Sequence, residues 1–350
     1  QHSCAPMLQW LLLFAVAPKL LRPCLSVNGT LERLPRLDTT PPELGVIHVA
    51  FFDTRRSPDV TSMRLAARLC RSSRSTLRFH ALLTVPLEIP GFTVTVIRLP
   101  PRAQCVYDSL SRLAHGPGPQ YLYKPLLPWV LPPHVHKLIV LDTDVVVLRD
   151  MQRLWGEFDS FGKALIGIAN EQSLLYQRES GWRAVGKNGG VQLLDLQAMR
   201  MSAEYAAALD YVGSGQAGVR IGYLGDQSLY TWLAASWSSW RHLFHTLPCE
   251  WNRQLSMHFG FNNASVHRCH GSCALLHANW QPVKCIARYM QQSPLCSTWQ
   301  AFQQQLASPS AWNNAAASGS PCAYKRSYPG WAPDFKRGIS RFFSDCCIRG

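Results

Sequence analysis

Two aspartates in an apolar segment are the residues of this sequence with the clearest capacity for chemistry. Asp142 and Asp144, with Thr143 between them, interrupt an apolar run that extends over residues 137–148. Two carboxylates in apolar surroundings repel each other and lose hydration, so their pKa values would rise unless a cation neutralised them. Strand-forming valines at residues 145–147 argue against helix capping by either aspartate. The pattern predicts a divalent metal site, because carboxylate oxygens suit Mg²⁺ or Mn²⁺.

The segments around this pair alternate between strand and helix patterns. A continuous apolar run at residues 46–52 predicts a strand buried on both faces, and residues 61–71 carry helical spacing. Further apolar runs cover residues 77–84, 92–99, 137–147, 164–169 and 191–196. This alternation predicts an α/β fold with a mixed, mainly parallel sheet flanked by helices. Such folds bind ligands at the carboxyl ends of their strands, where the aspartates would lie.

Composition limits the class of protein. The 350 residues are 47% hydrophobic and 16% charged, which is globular and excludes disorder as the main state. With 35 basic against 21 acidic residues the net charge is +14, which suggests an anionic partner. The basic residues are scattered along the chain without interleaved aromatic residues, so no nucleic-acid partner is expected.

Cysteine content and the N-terminal segment indicate the secretory pathway. Twelve cysteines, with sequons at Asn28 and Asn263, favour an oxidising compartment and a glycoprotein. The apolar stretch at residues 8–21 falls short of the roughly 20 residues of a membrane span, so residues 1–22 are predicted to be a signal peptide or a clipped signal anchor. We expect a proline-rich stem at residues 23–44, one folded domain at 45–306 and a peripheral tail at 307–350.

Three short motifs follow one another along the chain: Asp142-Thr143-Asp144, Asn188-Gly189-Gly190-Val191 and Leu224-Gly225-Asp226-Gln227. Together they resemble glycosyltransferase family 8, since they are similar to its Asp-x-Asp element, its Asn-Ser/Thr-Gly-Val turn and its Asp-Gln element. Residues 247–252 match a phrase of the xylosyl-transferring branches, which include the bifunctional xylosyl/glucuronyl transferases and the glucoside xylosyltransferases. His277 follows a predicted strand and stands where the family has a metal-binding histidine. The matches cover about residues 46–289.

The resemblance implies a GT-A type nucleotide-sugar-binding fold and a role for individual residues. Asp142, Asp144 and His277 would bind Mn²⁺, with Mg²⁺ as an alternative, against the phosphates of a UDP-sugar. The diphosphate and the donor sugar would be held by a second set, namely Lys124, Thr143, Asn188, Gly189, Asp226, Gln227 and Lys284. Within this set, Asp226, Gln227 and Lys284 are the predicted catalytic residues. A buried ion pair is the alternative interpretation for Lys124.

The implied activity is retaining transfer of a sugar from a UDP-sugar to a glycan acceptor on a glycoprotein. The resemblance favours xylose, and UDP-glucose or UDP-galactose is the alternative donor within the family. It also implies the Golgi lumen, with single-pass type II topology and membrane contact only through an N-terminal anchor.

Two departures from the family pattern keep a different class of function open. Gly189 replaces a hydroxyl residue, and Lys284 follows the predicted metal histidine by seven residues where the family has five or six. The alternative is a catalytically silent, secreted binding module stabilised by disulfides or zinc. Cys269 and Cys273 have spacing compatible with zinc, whereas the resemblance implies a disulfide between Cys249 and a cysteine near Cys269.

Overall fold

The computed structural model describes residues 43–172, 184–254 and 274–277, together with residues 24, 41 and 269. Several predicted features lie outside the described residues: the N-terminal segment 1–22, most of the stem, the tail 307–350, both sequons and Lys284. Among the described residues, none of the helices combines the length and the apolar character needed to cross a membrane.

The described strands form two sheets. They are β1 (Val46–Asp53), β2 (Thr76–Leu83), β3 (Thr93–Val96), β4 (Lys137–Leu141), β5 (Val145–Val147), β6 (Ile166–Asn170), β7 (Lys187–Asp195), β8 (Phe244–Leu247), β9 (Arg253–Gln254) and β10 (Leu275–His277). The large sheet has the order β3-β2-β1-β4-β7-β6-β8, and the small one β5-β10-β9. In the large sheet only β7 runs antiparallel to its neighbours. The predicted mixed, mainly parallel sheet is confirmed.

The described helices cover both faces of the large sheet. They are α1 (Val60–Leu69), α2 (Pro101–Ser111), α3 (Gly118–Tyr121), α4 (Leu127–Val130), α5 (Met151–Trp155), α6 (Leu196–Met201), α7 (Ala203–Gly213) and α8 (Asp226–Leu233), with short 3₁₀ turns at Lys124–Leu126, Gly156–Ser160, Arg241–Leu243 and Cys249–Asn252. One core contains residues of α1 and α5, and the other contains residues of α2, α6, α7 and α8.

The sequence of strand β1 is apolar without alternation, apart from His48 and the terminal Asp53. Ile47, Val49 and Phe51 belong to one core, whereas Ala50 and Phe52 belong to the other. Successive side chains of a strand point to opposite faces, so a strand covered on both faces needs apolar residues at every position. The side chains of β4 divide between the two cores in the same way. Because β4 ends at Leu141, the residues that follow it lie at the carboxyl edge of the sheet.

The apolar pattern of residues 137–147 predicted a single strand, but the structure divides this run into two strands. Strand β4 ends at Leu141 and β5 begins at Val145, where it joins the small sheet. The backbone N–H of Asp142 still donates to the carbonyl of Gly190 on β7, at 3.0 Å. The chain leaves the large sheet where the aspartates occur, because charged side chains within a doubly covered strand would be buried among apolar atoms.

Two disulfides tie loops to this framework. Cys249 is bonded to Cys269, so the pairing that the resemblance implied is present and Cys269 is not available to zinc. The second joins Cys24 of the predicted stem to Cys105 of α2. The N–H of Cys24 also donates to a carboxylate oxygen of Asp210 on α7, at 3.0 Å. This part of the stem is therefore attached to the side of the sheet covered by α2 and α7.

We predict that a buried histidine pair makes the domain acid-labile. Nδ1 of His48 on β1 lies 2.9 Å from Nε2 of His80 on β2, and burial lowers the pKa of each ring to about 4. An unfolded histidine titrates near 6.5, so the unfolded chain takes up protons that the folded pair does not. The free energy of unfolding should fall as the pH drops from about 6.5 towards 4, by about 2 kcal/mol per ring at pH 5.

Chemical denaturation at pH 7 and pH 5 measures this loss. The ionisable groups that interact with the pair are Glu43, Arg78, His134 and His136. A double variant, His48→Gln with His80→Gln, keeps those neighbours and should lose much less stability between the two pH values. An equally steep loss in the double variant would show that other groups cause the acid lability.

Candidate active site

A cavity of about 390 Å³ opens where β1 and β4 end. Its lining comes from the end of β1, the start of α1, the β4–β5 turn, the start of α8 and the end of β10. Eight residues singled out from the sequence line it: Lys124, Asp142, Thr143, Asp144, Asn188, Asp226, Gln227 and His277. Gly189 lies next to them and contacts Lys124 and Gln227, whereas Lys284 is outside the described residues. The structure thus brings together residues that are up to 153 positions apart in the chain (277 − 124).

Asp142, Asp144 and His277 form an acidic cluster with one imidazole. Nε2 of His277 lies 3.4 Å from Oδ1 of Asp144 and 3.8 Å from Oδ2 of Asp142. The three residues can each offer one ligand atom, with these atoms within 4.8 Å of one another. Antiparallel pairing of β10 with β5 produces this geometry, because it sets His277 opposite Val145, directly after Asp144.

The chemistry of this cluster fits a divalent cation. Burial opposes protonation of His277, yet the neighbouring Asp144 and Asp142 outweigh it and raise the pKa of the ring above its usual value. The cluster therefore favours positive charge. Carboxylate oxygens with one imidazole nitrogen form a donor set that Mn²⁺ accepts, while an oxygen-only set would suit Mg²⁺ better.

Lys124 is a buried cation beside the cluster. Its Nζ lies 2.7 Å from Oδ1 of Asp142, 3.0 Å from the carbonyl oxygen of Gly189 and 3.8 Å from Oδ2 of Asp226. Burial alone would lower the pKa of Lys124, but Asp142 and Asp226 raise it well above its usual value. The buried ion pair that was the alternative interpretation for Lys124 is present. The ammonium group of Lys124 lies between Asp142, a candidate metal ligand, and Asp226.

Asp226 begins α8 and is the most deeply buried carboxylate of the cavity wall, at 2% exposure. Burial raises the pKa of Asp226 to about 6, and the charge of Lys124 limits the rise. Nε2 of Gln192 donates to Oδ2 of Asp226 at 2.6 Å. Gln192 was not predicted from the sequence, although a polar residue inside the apolar run at residues 191–196 is the signal that could have identified it.

Asn188 uses its side chain inside the protein. Its Nδ2 donates to Oε2 of Glu171 at 2.8 Å, and its Oδ1 accepts from the N–H of Gly190 at 3.1 Å and from Nδ2 of Asn252 at 2.9 Å. Glu171 and Asn252 are completely or almost completely buried. Sequence reasoning assigned them no role, because neither falls in a pattern that distinguishes a buried polar residue from an exposed one.

We predict that Gly190→Ala disrupts the cluster and that Gly189→Ala does not. A Cβ added at Gly190 would overlap the ring of His277. One at Gly189 would meet the side-chain ends of Asp226 at 2.9 Å and Gln192 at 3.0 Å, which must shift but are not candidate metal ligands. Displacing a metal ligand should weaken Mn²⁺ binding at least as much as losing a supporting hydrogen bond, which costs roughly 10- to 100-fold. Titration calorimetry with Mn²⁺ compares the two variants. Wild-type affinity in Gly190→Ala would separate His277 from the metal site.

Known proteins resemble this chain in sequence. Over 176 residues it is 32% identical to human xyloside xylosyltransferase 1, and the aligned region covers 43% of this chain and 44% of that protein. It is 33% identical over 153 residues to human xylosyl- and glucuronyltransferase LARGE1, covering 41% of this chain and 20% of that protein. The chain therefore spans less than half the length of these curated relatives. No protein-family model matches the sequence.

Solved structures resemble it over a larger part of the chain. Mouse xyloside xylosyltransferase 1 superposes with a TM-score of 0.50 at 22% identity, covering 68% of this chain and 99% of the mouse structure. The galactosyltransferase LgtC, solved with donor and acceptor sugar analogues, superposes with a TM-score of 0.51 at 14% identity, covering 77% and 99%. The chain has the GT-A glycosyltransferase fold. Both the predicted GT-A architecture and the resemblance to xylosyl-transferring proteins are confirmed.

Proposed function

We propose that this GT-A protein is a metal-dependent glycosyltransferase that transfers a sugar from a UDP-sugar to a glycan acceptor. We propose xylose as the transferred sugar. The observation that carries the proposal is the cluster of Asp142, Asp144 and His277 in a cavity at the carboxyl ends of β1 and β4. Similarity to xylosyltransferases supports xylose as the donor sugar. We extend the proposal to retention of anomeric configuration and to a Golgi enzyme anchored through its N-terminal segment, as the family resemblance implies.

Different residues of the cavity would bind different parts of a UDP-sugar. A divalent ion held by Asp142, Asp144 and His277 would neutralise negative charge on the departing diphosphate. Lys124 holds one oxygen of Asp142 at 2.7 Å, which leaves the other oxygen to face His277. This ion pair fixes the orientation of Asp142 before any ligand arrives.

Asp226 and Gln227 would orient the donor sugar. Both line the cavity at the start of α8, and Oε1 of Gln227 accepts from the N–H of Gly189 at 2.7 Å. The carboxylate of Asp226 is held by Gln192 and Lys124. Fixed acceptors of this kind suit sugar hydroxyl groups, since a preorganised site loses little entropy when the ligand binds.

The local structure favours an enzyme over a catalytically silent module. Gly189, one of the departures from the family pattern, donates to Gln227 and accepts from Lys124. The turn therefore makes its contacts through the backbone and does not depend on a side-chain hydroxyl there. The cation, the carboxylates and the imidazole retain contacts with one another across the cavity.

A panel of nucleotide sugars tests the proposal. UDP-xylose, UDP-glucose, UDP-galactose and GDP-mannose are incubated with Mn²⁺, and release of the nucleoside diphosphate is measured. We expect the fastest release from UDP-xylose, loss of activity with a chelator and recovery on adding Mn²⁺. Faster release from UDP-glucose or UDP-galactose would change the donor but keep the class of enzyme. Absence of both hydrolysis and calorimetric binding of UDP with Mn²⁺ would support the silent module.

A further inference from the structure

A buried chain of hydrogen bonds lies behind His277, on the side of the ring away from the aspartates. Nδ1 of His277 is 3.2 Å from Oδ1 of Asn252. Nδ2 of Asn252 in turn lies 2.9 Å from Oδ1 and 3.2 Å from the carbonyl oxygen of Asn188. The exposed fractions of the three residues are 4%, 0% and 2%, so water does not compete for these bonds.

Backbone groups determine which way each amide points. The carbonyl oxygen of Asn188 can only accept a hydrogen bond, so the Asn252 atom that faces it must be the NH₂ nitrogen. The backbone N–H of Gly190 can only donate, so the Asn188 atom that faces it must be Oδ1. The two constraints agree, and they leave Oδ1 of Asn252 facing the histidine ring. The amide orientations therefore follow from the hydrogen-bond network and not from an arbitrary choice.

The orientation of Asn252 calls for a hydrogen on Nδ1 of His277, while Nε2 faces the carboxylates of Asp144 and Asp142, which accept a hydrogen from Nε2 when no cation is bound. A carbonyl oxygen only accepts, so Nδ1 of His277 must carry a hydrogen in order to bond with Oδ1 of Asn252. When a cation takes the place of the hydrogen on Nε2, the atom 3.4 Å from Asp144, the ring is neutral and keeps its hydrogen on Nδ1. An unprotonated ring nitrogen is the form that binds a metal, and the bond made by the other nitrogen selects it.

We propose that Asn252 is a positioning residue that selects this tautomer and directs Nε2 of His277 towards a divalent cation. The proposal rests on the metal site of the proposed function. The backbone reinforces it, since β9 pairs in parallel with β10 and begins directly after Asn252. The Cys249–Cys269 disulfide and a bond from Nε2 of Gln172 to the carbonyl of Asn252, at 3.0 Å, hold the same turn.

Three variants separate this role from a merely structural one. Asn252→Leu removes the acceptor at similar volume and should raise the Mn²⁺ dissociation constant roughly 10- to 100-fold. Asn252→Asp keeps an oxygen facing Nδ1 but loses the NH₂ group that donates to Asn188, so it should recover part of the affinity. Gln254→Met is the matched control: Gln254 is equally buried and pairs with His277 across the strands, but its side chain bonds to Gln172 and Asn170. It should lose stability without losing Mn²⁺ affinity.

Calorimetry with Mn²⁺ and thermal unfolding are measured on each purified variant. Wild-type affinity in Asn252→Leu, or an equal loss of affinity in Gln254→Met, would overturn the proposal. Failure of Asn252→Asp to exceed Asn252→Leu in affinity would also count against it, because both variants lose the bonds to Asn188 and Asn252→Asp alone keeps an oxygen facing Nδ1.

Nuclear magnetic resonance of the metal-free protein tests the tautomer independently of metal binding. With ¹⁵N-labelled histidine, the signals of His277 are those lost in His277→Ala. At an alkaline pH at which the ring is neutral, Asp144 and Asn252 compete for its one hydrogen, and we expect a larger fraction of rings with hydrogen on Nδ1 in the wild type than in Asn252→Leu. An equal or smaller fraction in the wild type would overturn the inference. If the wild type shows the larger fraction but binds no Mn²⁺, the metal site of the proposed function fails and the selection of the tautomer by Asn252 stands.

Discussion

Asp144→Asn is expected to abolish Mn²⁺-dependent hydrolysis of UDP-sugars while leaving the fold intact. Oδ1 of Asp144 lies 3.4 Å from Nε2 of His277, and the carboxylate is one of the two anionic groups of the candidate metal site. The amide keeps the shape but removes the charge, so we expect hydrolysis to fall by roughly 100-fold or more. Stability should hold, because the substitution also removes repulsion between Asp144 and Asp142 in the metal-free protein.

Asp195→Asn is the matched control for this prediction. Asp195 caps α6 by accepting from the N–H of Ala198 at 2.9 Å, and it does not line the cavity. Asparagine caps helices about as well as aspartate, so this variant should keep both activity and stability. UDP release is measured with Mn²⁺ and with a chelator, alongside thermal unfolding. Unchanged hydrolysis in Asp144→Asn would refute the assignment of the metal site.

The second large effect is expected in Lys124→Met, which should destabilise the domain in a pH-dependent way. Lys124 is 1% exposed, and its ammonium group is the cation beside the buried carboxylate of Asp226. Removing one partner of a buried ion pair leaves an uncompensated charge and typically costs about 3–5 kcal/mol. Without Lys124, the pKa of Asp226 should rise beyond its present value of about 6.

The direction of the pH dependence follows from this shift. When a carboxyl group has a higher pKa in the folded than in the unfolded state, the free energy of unfolding of the protein decreases as the pH rises towards the folded pKa. The gap in unfolding free energy between wild type and Lys124→Met should therefore be small near pH 5 and widen towards pH 8. Adding Asp226→Asn to Lys124→Met removes the unpaired charge and should recover most of the loss at pH 8. A gap that does not vary with pH would show that Asp226 is not its cause.

Several elements could be predicted because the burial of each residue is reflected in the pattern of apolar and polar residues along that element. Strand β1 is covered on both faces and is apolar apart from His48 and the terminal Asp53, and helix α1 lies within two residues of its predicted bounds. Asp142 and Asp144 were recognisable because charge inside an apolar run demands an explanation. Motif resemblance added His277, Asp226 and Gln227, whose spacing alone is not distinctive.

The partners of these residues could not be predicted in the same way. Lys124 bonds to residues 18 and 65 positions away, and Gln192 bonds to one 34 positions away. Such contacts depend on the order β1-β4-β7, with β7 antiparallel, which local periodicity does not encode. The break after Leu141 was missed for a related reason, since β5 leaves the sheet to pair with a strand 130 positions later (275 − 145).

The sequence by itself determined the class of fold and the carboxylates around which a cation site could form, because burial and charge act on each residue where it stands. Only the tertiary structure decided which groups complete that site. It placed Lys124 against Asp142, Gln192 against Asp226 and Asn252 against His277. Hydrogen bonds and ion pairs require contact within a few ångströms, and in this chain that contact arises from strand order and from two sheets meeting at one edge.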